Sequence, residues 1–375
     1  MLTLISFIIL LGIIVFVHES GHYLAAKLFG IKVEVFSLGF GKAIVKKKIG
    51  DTEYRIAWIP LGGYVKITGM IDESFDEEKE YSEPKANEFE SKNFFQKAFV
   101  ISAGVIMNML LAIFIYTIIT FFNGIAEPNS TFIQGFTDNS PAKEAGILPD
   151  DKIIAIDNID ITDWDHLSKI IHAKPDTDLE FKILRADSVV NLTIKTLSIE
   201  TFEDSELKKI GVVGIYPDFT IRDAGIIKSV SLGFKTTWYW LEIGVYSIKM
   251  LVTGQASMKD LGGPVMIAQM TGESAKAGFW AFLNFLAFIS INIGFLNILP
   301  IPILDGGHLL FLSVEAVLRR KIPTNIKFRI LQAGMILLLL FTMIVLYNDI
   351  GRVVNGDDVL NPPDTETAIE KNIEE

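Results

Sequence analysis

Four stretches of this chain, residues 2–29, 99–122, 279–304 and 330–347, are too long and too apolar to be packed away inside an ordinary soluble domain. A helix crosses the hydrocarbon core of a bilayer with about 17–25 mostly apolar residues, and each stretch reaches that length. A fifth, at 230–252, carries Lys235, Glu242 and Lys249 beside Trp238, Tyr239 and Trp240. That mixture favours an amphipathic helix lying in the membrane interface over a further span. Half of the 375 residues are hydrophobic and mean hydropathy is +0.39, yet 21% are charged, so spanning helices must be joined to a water-exposed module. A net charge of −11 argues against nucleic acid as a partner, and the absence of cysteine excludes disulfides and thiolate metal sites. Residues 1–17 lack the basic leader and small-residue cleavage site of a signal peptide and are expected to remain as a helix.

Orientation follows from Arg319, Arg320, Lys321, Lys327 and Arg329 between the last two spans, which place that connection in the cytoplasm. With four spans, both termini and the region between the second and third then lie outside. The expected segments are a first span at 1–29, a β-hairpin region with a charged loop at 30–97, and a second span at 98–123. A compact domain at 128–200 and a post-domain segment at 201–278 follow. A third span at 279–305, a cytoplasmic loop or helix at 306–328, a fourth span at 329–348 and an acidic tail at 349–375 complete the chain.

Within the compact domain, strands are expected at 131–136, 152–156, 179–184 and 189–195. Ser140-Pro141 opens a short helix and a second helix runs over 163–172. This order, with the run Ala145-Gly146-Ile147-Leu148-Pro149-Asp150-Asp151, resembles a PDZ domain, a module that binds extended peptides at a sheet edge. An unrelated small α+β domain is the alternative. Between the first two spans, residues 31–95 alternate apolar and polar, with glycines at 39, 41, 62 and 63, as a cytoplasmic-side β-hairpin would; a charged stretch runs over 72–90.

The chemistry concentrates in His18-Glu19-Ser20-Gly21-His22, an H-E-x-x-H pattern. Histidines four apart share a helix face and can hold one metal ion, with the intervening glutamate placed to take a proton from water. Zinc suits this set, since its catalytic sites use three protein ligands and leave a position open. The plain alternative is a polar patch with its imidazoles satisfied by carbonyls. Ionisable groups inside an otherwise apolar span are costly, and a functional role answers for them better. Asp305 is the best third ligand; it closes the third apolar stretch, behind Pro300 and Pro302, which break any helix there. His18 lies about 24 Å down its helix from Leu2, at about 1.5 Å per residue, and Asp305 ends a parallel span, so the two reach a similar depth. His308 is a rival ligand. His166 and His172 fit ordinary positions in the compact domain, and Asn297 either binds substrate backbone or bridges helices.

These motifs resemble the site-2 protease family of intramembrane zinc metalloproteases, in its bacterial RseP/RasP branch. His18, Glu19 and His22 match the family's metal-site helix, and Asn297, Pro300, Pro302 and Asp305 match its asparagine–proline–L-D-G segment. Residues 36–41 and 59–66, with Gly62 and Gly63, resemble its membrane-associated hairpin, and Gly262-Gly263-Pro264-Val265 the segment before its third span. Two departures are visible: one PDZ-like domain where two are common, and Val105 after Gly104 where the family has proline, with Asn108 retained.

The resemblance implies a polytopic α-helical membrane protein with about four transmembrane helices, a cytoplasmic-side membrane-associated β-hairpin and one extracytoplasmic PDZ-like α+β domain. It further implies a zinc endopeptidase of the bacterial inner membrane, with Asn297, Pro300, Pro302, Gly62 and Gly63 handling substrate. Its substrates in the bilayer would be single-span proteins of the anti-sigma-factor type, cut after prior trimming, and remnant signal peptides. Two rival readings are a PDZ-containing adaptor that binds without cutting and a membrane-anchored zinc protease of misfolded proteins.

Overall fold

The computed structural model describes residues 1–70, 85–203, 206–256 and 261–355. Most of the charged stretch expected over 72–90, and the acidic tail beyond residue 355, lie outside the described residues. The chain divides into two compact units, residues 118–231 and the remainder.

Among the described residues, four helices are long and apolar enough to cross a membrane: α1 (Leu2–Leu28), α2 (Phe94–Asn123), α7 (Phe279–Ile298) and α9 (Thr324–Asn355). Helices answer the bilayer's demand that every backbone group be paired within the segment. A reciprocal capping box starts α2, with the Gln96 amide donating to Asn93 Oδ1 and the Asn93 amide to Gln96 Oε1. The third apolar stretch runs to 304 in sequence, but α7 stops at Ile298. Leu299 precedes Pro300 and is extended, at φ −62° and ψ 144°, as a residue before proline must be. Asp305 therefore does not close a span but opens a new helix, α8 (Asp305–Leu318).

Two further helices pack on this bundle. One, α5 (Ile226–Val252), runs against α2 and α7: Gly233 fits against Thr117, Trp240 meets Phe288 edge-on at 4.9 Å, and Gly244 faces Phe295. The other, α6 (Pro264–Ala277), is fastened at its start by buried Asp349 of α9. That carboxylate accepts from the amides of Gly263, Val265 and Met266 at 3.0–3.2 Å. These are donors that a helix start leaves open.

Between α1 and α2 lie β1 (Val33–Ile49) and β2 (Thr52–Ile67), an antiparallel pair that folds back on itself. Val35 pairs with both Lys66 and Glu53, and Ile56 with both Leu38 and Val45. Four segments result, in the order 63–67, 33–40, 52–59, 43–49. The doubling needs bulges, and Gly39 and Gly41 (φ 88° and 86°) supply backbone conformations that other residues resist. The sheet packs on α1 through Phe36, edge-on to Phe16 and Tyr23, and through a 2.7 Å hydrogen bond between the Tyr23 and Tyr54 hydroxyls.

In the smaller unit, strands β10 (Ile215–Arg222), β3 (Ile125–Phe136), β4 (Lys152–Ile156), β6 (Asp178–Arg185) and β7 (Ser188–Lys195) form one antiparallel sheet in that order, with β5 (Ile159–Asp160) beside β4. Helices α3 (Pro141–Glu144) and α4 (Trp164–His172) are capped by the Ser140 and Asp163 side chains. The core gathers Ile133, Ile153, Leu167, Leu179, Phe181 and Ile183. This unit is larger than the 128–200 window, because β10 completes the sheet against β3 and a hairpin, β8 (Leu197–Glu203) with β9 (Glu206–Val212), follows β7.

Candidate active site

His18 and His22 lie one turn apart on α1, and both face α2. Helix α2 comes so near that a β-carbon on Gly104 would stand 2.4 Å from His22 Nε2 and 2.7 Å from His18 Nε2. A β-carbon on Gly21 would lie 2.3 Å from the Ala103 carbonyl oxygen. Two glycines thus allow the two helices to touch where the imidazoles sit.

Asp305 arrives from the start of α8. A β-carbon on Gly306 would stand 2.2 Å from the carbonyls of Ile298 and Leu299, so the chain after α7 folds tightly over the start of the next helix. Buried Ile303 accepts a φ of 84°, a conformation costly for a β-branched residue and held here by the surrounding fold.

Three atoms converge. His18 Nε2 and His22 Nε2 are 3.3 Å apart, and Asp305 Oδ2 lies 3.2 and 3.4 Å from them. Buried Asp305 Oδ2 has no hydrogen-bond partner. Such an atom is expensive unless a cation completes it. A tetrahedral zinc ion with bonds of about 2.0–2.1 Å keeps neighbouring donors about 3.3 Å apart, and these three match that spacing. His22 Nδ1 lies 2.9 Å from the Val100 carbonyl oxygen, which can only accept; the ring proton is therefore at Nδ1, and the Nε2 lone pair points at the shared centre. His18, His22 and Asp305 are the group of metal-ligand type found among the described residues.

The triad stands in a cavity of about 280 Å³ that Glu19, Asn297, Ile303 and His308 also line. Asn297 Nδ2 is 3.4 Å from His18 Nε2, so its amide borders the same centre. Across the cavity runs the outermost segment of the doubled sheet, with Gly62, Gly63, Tyr64, Val65 and Ile67 in the wall. Gly63 lies close against α1, where a β-carbon would come within 2.9 Å of Val15 and 3.3 Å of the Glu19 side chain. Gly62 (φ 134°) sits beneath the Phe40 ring. Among the described residues no strand pairs with the outer side of segment 63–67.

Pro300 and Pro302 end α7 and turn the chain toward Asp305 without entering the triad, and Pro302 packs under Gly334 of α9. His308 lines the cavity but is not among the converging donors, while His166 and His172 lie on α4 in the other unit. In the sequence Asn108 stands out only as a motif residue. It is fully buried on α2, with Nδ2 3.3 Å from His18 Nδ1. The signal that could have found it was a lone amide in the middle of an apolar span.

The profile of peptidase family M50 matches residues 6–341. A Rickettsia conorii relative is 33% identical over 360 residues, covering 93% of this chain and 99% of its own length. Relatives from Clostridium acetobutylicum (32% over 348 residues, 93% and 97%) and Campylobacter jejuni (32% over 356 residues, 92% and 93%) are similar throughout. All three are named as zinc metalloproteases.

Proposed function

Because this chain belongs to peptidase family M50 and is a membrane-bound zinc metalloprotease, we propose that it cuts single-span membrane proteins within or next to their transmembrane segments. The observation that carries this reading is the set of three zinc-spaced donors in a cavity walled by the edge segment of the doubled sheet. His18, His22 and Asp305 hold the metal. A zinc ion held there would supply Lewis acidity, the chemistry that acidifies water and polarises a carbonyl.

The protein's own groups do the rest. Glu19 takes the proton of the attacking water on its carboxylate and returns it to the leaving amine. The Asn297 amide donates to the substrate backbone. A helix cannot be cut while it is wound, and an unwound chain in a bilayer must have its amides and carbonyls paired. Segment 63–67 offers that pairing by strand addition, Gly62 and Gly63 keep the wall free of side chains, and Pro300 and Pro302 hold open non-helical backbone beside it. The opposite edge, 43–49, carries exposed Lys46, Lys47 and Lys48, the usual guard against unwanted pairing. Substrate addition is thereby confined to one side.

The reading extends to topology and substrates. The protein sits in the bacterial inner membrane with both termini and unit 118–231 outside and the doubled sheet at the cytoplasmic side. Unit 118–231 serves as a PDZ-like filter that admits substrates already trimmed by another protease, such as anti-sigma-factor stubs and remnant signal peptides. The deciding experiment is co-expression with a tagged single-span reporter stripped of most of its outer domain. Wild type should yield a shortened product and Glu19→Gln none, with zinc still bound. Cleavage by the Glu19→Gln variant would remove Glu19 as the base; no cleavage by zinc-loaded wild type across several reporter spans would favour a binding-only adaptor.

A further inference from the structure

The two imidazoles at the metal centre are held from behind by different means. His22 Nδ1 faces the Val100 carbonyl at 2.9 Å, which fixes its proton on Nδ1. His18 Nδ1 faces the Asn108 carboxamide at 3.3 Å, and a carboxamide can either donate or accept. The choice matters. If the amide nitrogen donated to Nδ1, the neutral ring would carry its proton on Nε2, between His22 Nε2 and Asp305 Oδ2, and that nitrogen would have no lone pair for a cation.

Asn108 Oδ1 is meanwhile buried with no hydrogen-bond partner. Half a turn of the carboxamide about its terminal bond exchanges oxygen and nitrogen with almost no change of shape. It gives Oδ1 a donor in His18 Nδ1–H, and it frees the Nε2 lone pair. The residue is well held for this task. Its main-chain carbonyl accepts from Ser290 Oγ at 3.0 Å, and Gly294 packs so close that a β-carbon there would stand 3.2 Å from the Asn108 β-carbon.

We infer that Asn108 is a positioning residue that accepts the His18 Nδ1 proton through Oδ1, so that both histidines present Nε2 to a divalent cation. The inference rests on the reading of His18, His22 and Asp305 as zinc ligands. It explains an uncharged polar side chain in the middle of α2 and treats the two ligands alike, one oriented by a main-chain oxygen and one by a side-chain oxygen.

The test uses the full-length protein in detergent, with zinc affinity measured by chelator competition and the visible spectrum recorded after cobalt substitution. Asn108→Leu keeps the shape and removes the acceptor; it should bind zinc about 10–100-fold more weakly and shift the cobalt bands. Asn108→Asp offers only acceptor oxygens and should keep affinity within a few-fold of wild type. A merely structural amide would not be rescued in this way. Wild-type affinity in Asn108→Leu, or a loss in Asn108→Asp as large as that in Asn108→Leu, overturns the inference. His18→Ala separates the two levels: if that variant still binds zinc as wild type does, the ligand assignment fails, and not the role of Asn108 alone.

Discussion

Gly104 is bare because the two imidazoles occupy the place where its side chain would stand. Even a methyl group would drive α2 away from α1, so Gly104→Ala should lower zinc affinity by about 100-fold or more, an effect on the scale of losing a ligand's orientation or worse. Equilibrium dialysis against zinc checks it, and unchanged metal content would contradict the proposed packing. Asp305→Ala should lose zinc to a similar or greater extent, whereas His308→Ala should retain it; the reverse pattern would exchange their roles. At this scale much was legible. The H-E-x-x-H spacing and the lone carboxylate behind two prolines mark costly groups in apolar surroundings, and cost leaves a trace in sequence. Asn108 left a weaker trace, since an amide in a span can also merely bridge helices. The strained φ of Ile303 left none, because that conformation is imposed by the chain packed around it.

Elements show where local signals suffice. Strands β4, β6 and β7 and the caps of α3 and α4 follow from alternation and capping residues that act over a few positions. One tie in this unit is long-range: buried Asp151 accepts two hydrogen bonds from Arg185 and one from the Leu148 amide, all at 2.8 Å. Burial pushes the Asp151 carboxyl upward, but the Arg185 hydrogen bonds, the Leu148 amide and the Arg185 charge together hold it below the usual carboxylate range. A carboxyl depressed in the folded state stabilises fully above its unfolded pKa of about 4, and the contribution fades as pH falls through the lower folded value. Unfolding of this unit should therefore become easier below about pH 4. The fluorescence of Trp164, isolated by replacing the other four tryptophans with phenylalanine, reports it. Asp151→Ala should cost about 2 kcal/mol at neutral pH, a figure moderated by the partial exposure of Arg185, and should flatten the acid response. An unaltered pH profile in that variant would remove Asp151 as its source. The doubled register of β1 and β2 was beyond sequence reading, because bulges decide which of two partners each residue meets.

For the whole molecule, sidedness is read by labelling. The chain contains no cysteine, so single cysteines report cleanly. Ser188→Cys in the smaller unit should react with an impermeant maleimide in intact cells, while Arg320→Cys, in the basic connection after α8, should react only after the membrane is opened. The opposite labelling would invert the proposed orientation. Sequence alone determined that this is a membrane chain, that its first apolar stretch carries an H-E-x-x-H pattern, and where a third ligand should be sought. Hydrophobic length, ligand spacing and proline chemistry act within one segment and need no partner to be read. The tertiary structure decided the rest: the meeting of α1 and α2 at two glycines, the delivery of Asp305 by a new helix, and the edge segment of the doubled sheet set beside Glu19. Those features depend on which surfaces touch, and contact between residues far apart in the chain is settled by packing and by the pairing of buried polar groups, which no single segment encodes.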